Sequence, residues 1–302
     1  MIGRVATFSE VNYLMSLNMS TQTALNTAET QESSGLQAQT YGALSGDVSK
    51  VLNIDNQITR LTADGTNATT ALSGMQETYS VLGDVTDLAS TMLSDLSGYM
   101  SGTGVDSTTV SASAQSWLSQ LTDLMNTRYA GSYLFAGQAN DTAPVDTASS
   151  SYSPTTDPTA ADTGYYQGSS AGATYAGSDG FTVATSVQAD APGFEKLFRA
   201  LSLIVASPSS SSTLSQAYSL IQTGESEVSD SQAQLATNSS ALTNYQEDAS
   251  TKVTTLTTLA SSLKDADLSA ATVAVTNYQN QLEASYSTLS KLLSVNLAKY
   301  LT

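Results

Sequence analysis

The sequence contains no cysteine and no histidine. It therefore has no means of forming a disulfide, a thiolate nucleophile or a metal site with cysteine or histidine ligands. Histidine is also the side chain that most often acts as general acid and base, so any such chemistry would rest on carboxylates. Charged residues make up only 12% of the chain, about half the usual share. These absences count against most enzyme classes.

Basic residues are scarce: lysine and arginine number 10 against 27 acidic residues, and the formal net charge is −17. Binding to nucleic acid or to an anionic membrane surface depends on basic patches, so this charge argues against both partners. The N-terminus holds no apolar run of signal-peptide length, and no window approaches the length of a membrane span. We therefore expect a cytosolic chain, unless it leaves the cell by a route without a cleaved signal.

What the sequence does contain is helical periodicity on both sides of a non-helical middle. Apolar residues recur at steps of three and four over residues 48–96 and again over 214–297, a pattern typical of long helices packed by a heptad-like seam. Two shorter stretches, 108–128 and 194–204, predict further helices. The pattern over residues 8–32 is also helical but weaker.

Turn signals separate the terminal helices from the inner ones. Ser33-Ser34-Gly35 is a typical helix stop. Lys264-Asp265-Ala266-Asp267 indicates a break followed by a new N-cap. The chain is thus predicted to begin and end in helices, residues 1–34 and 266–302, that are distinct from the long inner ones.

The middle of the chain, residues 141–191, is rich in glycine, proline, serine and aspartate and has no basic residue. Short β-like pieces occur at Tyr133–Phe135, 164–168 and 181–187. We predict a mainly α fold with a small β domain, in which the N- and C-terminal helices form a long antiparallel bundle or coiled coil with the β-rich insertion at its tip. The predicted domains are a terminal assembly domain (1–34 with 266–302), a helical bundle (35–140 with 192–265) and a small acidic β-rich outer domain (141–191).

Acidic residues are the remaining candidates for chemistry. Asp265 and Asp267 are close in sequence, but helix capping and solubility explain them better than catalysis. The aspartates of the middle segment fit no calcium-binding loop, and the glycines form no phosphate-binding or dinucleotide motif. We therefore predict a protein that is not an enzyme, with no catalytic, cofactor-binding or metal-binding residue. A carboxylate-based hydrolase within residues 141–195 remains as an alternative from another class.

Several short motifs carry a resemblance to a known family. Ser33-Ser34-Gly35 with Ser45-Gly46-Asp47 is similar to the flagellin-type Ser-Ser-Gly … Ser-Asp-Asp signature, with Gly46 in place of the first aspartate. The block Gly131-Ser-Tyr-Leu-Phe-Ala-Gly137, followed by Pro144, and the ending Leu297-Ala-Lys-Tyr-Leu301 resemble the FlgL-type hook-associated branch. The family's phenylalanine after the proline is valine here. The chain thus resembles the flagellin superfamily, and most closely its hook–filament junction proteins.

This resemblance implies a structural subunit of the bacterial flagellum that joins hook to filament. It implies export through the flagellar apparatus without a cleaved signal peptide, with the help of an export chaperone. The expected partners are further copies of the chain in a ring or helical assembly, the hook-side junction protein and flagellin. The alternative is that the chain is itself a flagellin, the main filament subunit.

The terminal helices are the predicted site of self-assembly. Short isolated helices with thin apolar seams are marginal in water, so neighbouring subunits are the natural source of the missing burial. The resemblance adds that such termini fold into a coiled-coil inner tube on assembly. The predicted interface residues are Val11, Leu14, Leu17, Leu25, Leu268, Val275, Leu282, Leu289, Leu292, Leu297, Tyr300 and Leu301.

Overall fold

A computed structural model describes residues 2–44, 46–102, 106–150 and 152–298; for residues 2–8, 43 and 293–298 it describes the backbone only. Within these ranges the fold is mainly helical with two short hairpins, as predicted. The helices are α1 (Ile2–Ser34), α2 (Val48–Ser101), α3 (Ser107–Met125), α4 (Pro192–Ala206), α5 (Ser211–Lys264) and α6 (Leu268–Ala298), with a 3-10 turn at Tyr41–Ala43. The strands are β1 (Arg128–Tyr129), β2 (Ser132–Tyr133), β3 (Thr174–Ala176) and β4 (Thr182–Ala184).

The helix boundaries follow the turn signals of the sequence. Gly35 ends α1 with a left-handed φ of +70°, and its N–H donates to the Gln31 carbonyl at 2.9 Å. Only glycine adopts this conformation without steric cost, which explains the stop. Asp267 caps α6 by accepting from the Ala270 N–H at 3.0 Å. Both predicted breaks are confirmed.

The chain divides into two compact units, one comprising Met1–Thr59 with Lys252–Thr302 and the other Arg60–Thr251. The division passes through the interior of α2 and α5, because each of these helices is 54 residues long and contributes to both units. The finer division into terminal, bundle and outer domains stays a prediction.

In the first unit, α1 packs antiparallel against α6. The direction follows from two hydrogen bonds: Thr272 Oγ1 donates to Glu32 Oε1 at 2.8 Å, and Ser285 Oγ donates to Asn18 Oδ1. The residues of α1 that face its partner follow the three–four steps of a coiled-coil seam. They are the buried or half-buried side chains of Val11, Leu14, Asn18, Thr21, Leu25 and Ala28.

The loops that enter and leave this helix pair are tied together. The Gln37 N–H donates to the Lys264 carbonyl at 2.7 Å, and the Ala266 N–H donates to the Gly35 carbonyl at 2.9 Å. Lys264 Nζ also donates to both carboxylate oxygens of Asp55 at 2.8 Å. The hydrogen bond from Lys264 lowers the pKa of the Asp55 carboxyl below its usual value. These contacts hold the start of α6 at the end of α1.

Helix α4 lies at the centre of the second unit. Every side chain from Phe194 to Ile204 is buried except Lys196, which is half-buried. A helix whose side chains are buried on every face must be covered by other segments on every side. Helix α3 and the loop residues Phe135 and Tyr165 provide part of this cover. The close approach of α4 to α5 depends on Gly193, where a Cβ would lie 2.9 Å from the Val228 nitrogen.

The β structure is smaller than predicted. Strands β1 and β2 form a hairpin whose turn residues, Ala130 and Gly131, have φ values of +48° and +90°. The strand predicted at Tyr133–Phe135 ends at Tyr133, and the one predicted at 164–168 is wrong, because Tyr166 makes only an isolated bridge with Val145. The piece predicted at 181–187 is strand β4, paired with β3.

The β3–β4 hairpin is anchored to the long helices through Asp64 of α2. One carboxylate oxygen of Asp64 accepts hydrogen bonds from the Ser178 N–H at 3.1 Å, from the Ser178 hydroxyl and from the Tyr245 hydroxyl at 3.1 Å. The Asp64 carbonyl accepts from the Tyr175 hydroxyl at 2.9 Å. Phe181 of the hairpin stacks on Tyr245 at 4.5 Å between ring centroids. A single aspartate thus joins α2, α5 and the hairpin.

Because of this anchor, we expect the stability of the fold to depend on pH, and we expect Asp64→Asn to reduce that dependence. Partial burial by itself would raise the pKa of Asp64, but the hydrogen bonds from Ser178 and Tyr245 outweigh it and lower the pKa below 3.8. Since the carboxylate form is favoured in the folded state, its contribution to stability is present above the unfolded pKa and is lost as pH falls through the folded pKa. Urea unfolding between about pH 6 and pH 3 should therefore show a shallower loss of stability in the variant. Asp95→Asn, an exposed change on the same helix, should keep the wild-type slope.

Candidate assembly surface on the terminal helices

Helices α1 and α6 carry large apolar side chains that the fold leaves in water. On α1, Tyr13 is 69% exposed, Met15 52% and Met19 73%. On α6, Val273 is 59% exposed and Tyr286 53%. Met15 and Met19 lie one turn apart on one side of α1, whereas Tyr13, two residues before Met15, lies on a different face. Several large exposed apolar side chains on one pair of helices make these helices a candidate for contacts with other chains. We call these five residues the exposed apolar set.

Long stretches of α1 and α6 around this set are free of charged residues. Between Glu10 and Glu29 of α1, and from Leu268 to Leu282 of α6, there is no charged residue. A helix that faces solvent permanently is normally rich in charged side chains on its outer face. Here serine, threonine, asparagine and glutamine take their place, so neighbouring copies could pack without burying unpaired charges.

The seam between α1 and α6 is weakened by polar residues. Asn18 and Thr21 occupy seam positions and are each 7% exposed. Asn18 accepts from Ser285 across the seam, and Thr21 Oγ1 donates back to the Leu17 carbonyl at 3.0 Å. Polar pairs at such positions fix the register of a coiled coil at a cost in stability. The pair is therefore well specified but not strongly held by its own apolar contacts.

The twelve predicted interface residues occupy different environments. Leu25 and Leu282 are buried between α1 and α6, whereas Leu17 and Leu268 are 41% and 50% exposed. The side chain of Leu297, and Tyr300 and Leu301 altogether, lie outside the described residues. The half-buried members are Val11, Leu14, Val275, Leu289 and Leu292. Their role in self-assembly stays a prediction.

The sequence analysis did not predict the exposed apolar set, because the three–four recurrence of apolar residues indicates only the seam face of a helix. That pattern finds the face with the nearest partner, which is the contact between α1 and α6 within one chain. Met15 and Met19 are one turn apart and lie off the seam, as do Tyr13 and Leu17. The sequence signal that could have revealed this set is the presence of apolar residues in the terminal helices that do not belong to the seam.

A metal centre and a membrane span are not evident in the part of the chain that the structure describes. No group of three or more acidic side chains there could hold a metal ion. No described helix is long and apolar enough to span a membrane.

Comparison with known proteins bears on the same helices. Residues 5–140 match the family model of the bacterial flagellin N-terminal helical region. The chain carries a flagellin-type N-terminal region. This region includes all of α2 and α3, most of α1 and the Tyr133–Gly137 block, and the match confirms the resemblance to the flagellin superfamily.

Two solved structures are similar to this chain. One, from Vibrio parahaemolyticus and assigned as a flagellar hook-associated protein, is 15% identical with a TM-score of 0.59, and the match covers 72% of this chain and 97% of that one. The other, FlgL of Bacillus cereus, is 12% identical with a TM-score of 0.48 and covers 65% and 98%. No curated protein sequence matches the chain. The flagellin-type region and the fold shared with the Vibrio protein support a flagellar structural protein.

Proposed function

We propose that this chain is a structural subunit of the bacterial flagellum that joins the hook to the filament and assembles with further copies through its terminal helices. The observation that carries the proposal is the low charge of α1 and α6 together with their exposed apolar set, in a chain with a flagellin-type N-terminal region. Burying such a surface against neighbouring copies supplies the apolar contacts that the α1–α6 pair lacks.

The junction role in particular is supported by two features. The Gly131–Gly137 block resembles that of hook-associated proteins, and the fold is shared with a Vibrio protein assigned to that class. In this proposal residues 1–34 with 266–302 form the inner assembly domain, 35–140 with 192–265 the helical bundle and 141–191 the outer surface. The partners are the hook-side junction protein and flagellin, and the chain leaves the cell through the flagellar export apparatus with an export chaperone and without a cleaved signal.

Deleting the gene in the source bacterium tests the junction role. We expect cells with hooks but without attached filaments, and flagellin released into the medium, because the filament would have nothing to attach to. Electron microscopy of the cells and analysis of the culture supernatant measure both. Motile cells with filaments of normal length would contradict the junction role.

Copy number separates the junction protein from the alternative, a flagellin. A junction protein occupies one short zone, so it should be a trace component of sheared flagella. A flagellin would be their main protein. Quantitative mass spectrometry of sheared, purified flagella distinguishes the two, and a dominant amount of this chain would replace the junction role by the filament role.

The exposed apolar set predicts a separation between folding and assembly. The double variant Met15→Glu/Met19→Glu should keep wild-type helicity and solubility as a monomer, because both side chains are more than half exposed. It should lose assembly, since burying two unpaired carboxylates against a neighbour costs several kcal/mol. Circular dichroism measures the first property, and sedimentation of assembled particles the second.

A matched control lies one position further along the same helix. Ser16→Glu/Ser20→Glu adds the same charge at exposed polar positions that are already hydrophilic. We expect the control to assemble nearer to wild type than the methionine variant. Equal assembly by the methionine variant and wild type would remove Met15 and Met19 from the interface.

A further inference from the structure

A groove in the second compact unit lies between one face of α2 and one face of α3. Its volume is about 650 Å³, in the range of sites that hold a ligand or a peptide side chain. Helix α2 contributes Asp84, Asp87, Leu88 and Thr91 to the groove, and helix α3 contributes Trp117, Gln120, Asp123 and Leu124. The α2 residues recur at helical spacing, so they form a continuous wall.

Trp117 lines this groove, and its indole N–H is the one hydrogen-bond donor of its side chain. The side chain is only 5% exposed, yet its indole N–H has no hydrogen-bond partner among the described residues. That nitrogen is also not sealed from solvent, since Arg199 Nε is the only fully inaccessible side-chain nitrogen or oxygen without a partner in the described chain. An N–H that solvent reaches can donate to water, and an acceptor on a bound segment can replace that water.

Three carboxylates surround the same opening. Asp84, Asp87 and Asp123 are exposed, and none of them forms an ion pair with a described residue. The apolar side chains of Leu88 and Leu124 lie between them. The groove thus combines a negative rim with apolar walls, and its charge is complementary to that of a cation.

We propose that this groove binds a basic segment of a partner protein. A lysine or arginine side chain lays its aliphatic stem along Leu88 and Leu124 and places its charged head among the carboxylates. A peptide carbonyl of the same segment accepts the Trp117 N–H. A peptide with a basic side chain supplies both donors for the carboxylates and an acceptor for the indole N–H. The proposal stands on this groove alone and is independent of the assembly role.

Other occupants fit less well. A metal ion is not favoured, because no group of three or more acidic side chains among the described residues is arranged to hold one. A second copy of this chain is a poor source of positive charge, because its formal net charge is −17. A partner with an exposed basic segment has the complementary chemistry.

The intact chain provides its own probe, because Trp117 is its only tryptophan. The capped peptide Gly-Leu-Arg-Gly-Leu-Arg-Gly is titrated at low ionic strength while tryptophan fluorescence is recorded. We expect a saturable change that weakens with added salt. The peptide with glutamine in place of arginine should give no saturable change. An exposed ion pair is worth about a two- to threefold change in affinity, so Asp84→Asn/Asp87→Asn/Asp123→Asn should weaken binding about tenfold.

A matched variant controls for overall charge. Asp95→Asn/Asp230→Asn/Asp248→Asn removes the same charge from exposed positions outside the groove and should bind the arginine peptide like wild type. The proposal is overturned if the arginine peptide gives no saturable change, if the glutamine peptide binds equally, or if both triple variants weaken binding alike. An equal response to calcium or magnesium chloride would indicate a cation site instead. A fluorescence change on raising the protein concentration alone would indicate a second copy.

Discussion

Replacing Glu195 with leucine is expected to lower the free energy of unfolding by about 3–5 kcal/mol, because it leaves Arg199 charged and unpaired inside the protein. Both side chains are 6% exposed, and Arg199 Nη2 donates to Glu195 Oε2 at 3.1 Å. Glu195 Oε1 also accepts from the Asp162 N–H at 2.8 Å, so the variant detaches the loop that covers α4. Urea unfolding followed by Trp117 fluorescence measures the loss, since Trp117 belongs to the same compact unit.

The neighbouring residue Lys196 provides the control. Its partner Glu227 lies 2.5 Å away, but the two side chains are 21% and 35% exposed. Glu227→Leu should therefore cost about 1 kcal/mol or less. The double variant Glu195→Leu/Arg199→Met should recover much of the loss, because an apolar pair of similar volume replaces the buried charges. If Glu195→Leu and Glu227→Leu cost the same, burial is not the cause.

The second large effect is expected at Gly137, the last residue of the Tyr-Leu-Phe-Ala-Gly block. Gly137→Ala should destabilise the protein by about 2–5 kcal/mol, the sum of left-handed backbone strain and overpacking. The φ of Gly137 is +62°, and a Cβ there would lie 2.6 Å from the Ala171 carbonyl oxygen and 2.7 Å from that of Ser169. Both oxygens belong to the backbone. Their segment is held by two hydrogen bonds, from the Gln138 N–H to the Ala171 carbonyl at 3.0 Å and from the Ser169 N–H to the Ala136 carbonyl at 2.9 Å, so the oxygens have little room to move.

Gly131 in the β1–β2 turn separates the two causes. Its φ is +90°, but a Cβ would have no neighbour within 4 Å. Gly131→Ala should therefore cost only the backbone strain, about 1–2 kcal/mol. Urea unfolding of both variants gives the difference, which is the cost of the clash. Equal losses would show that the approach of residues 169–171 to Gly137 has no energetic consequence.

Local signals predicted most of the helical framework. The three–four recurrence of apolar residues, the stop at Gly35 and the cap at Asp267 each act within a few residues of chain, so they can be recognised in the sequence. The small size of the β structure was harder to foresee. Tyr165 and Phe135 pack on the buried helix α4 rather than extending a sheet, and their sequence neighbourhood alone does not indicate this.

The candidate assembly surface was predicted only in part. The terminal helices were identified as the place, because their seams are thin. The exposed members Tyr13, Met15 and Met19 were not, because exposure depends on which face the partner helix covers. The sequence pattern defines a helix face but not the number of partners that the face has.

The sequence by itself determined the class of the molecule: a helical, acidic chain without cysteine or histidine, with helices of low charge at both ends and a flagellin-like signature. Only the tertiary structure decided which residues meet across long separations. Asp64 joins Ser178 and Tyr245, and Glu195 holds a loop 33 residues before it. The physical reason is that helix formation depends on neighbours within one or two turns, whereas these contacts depend on how distant segments close on a shared core.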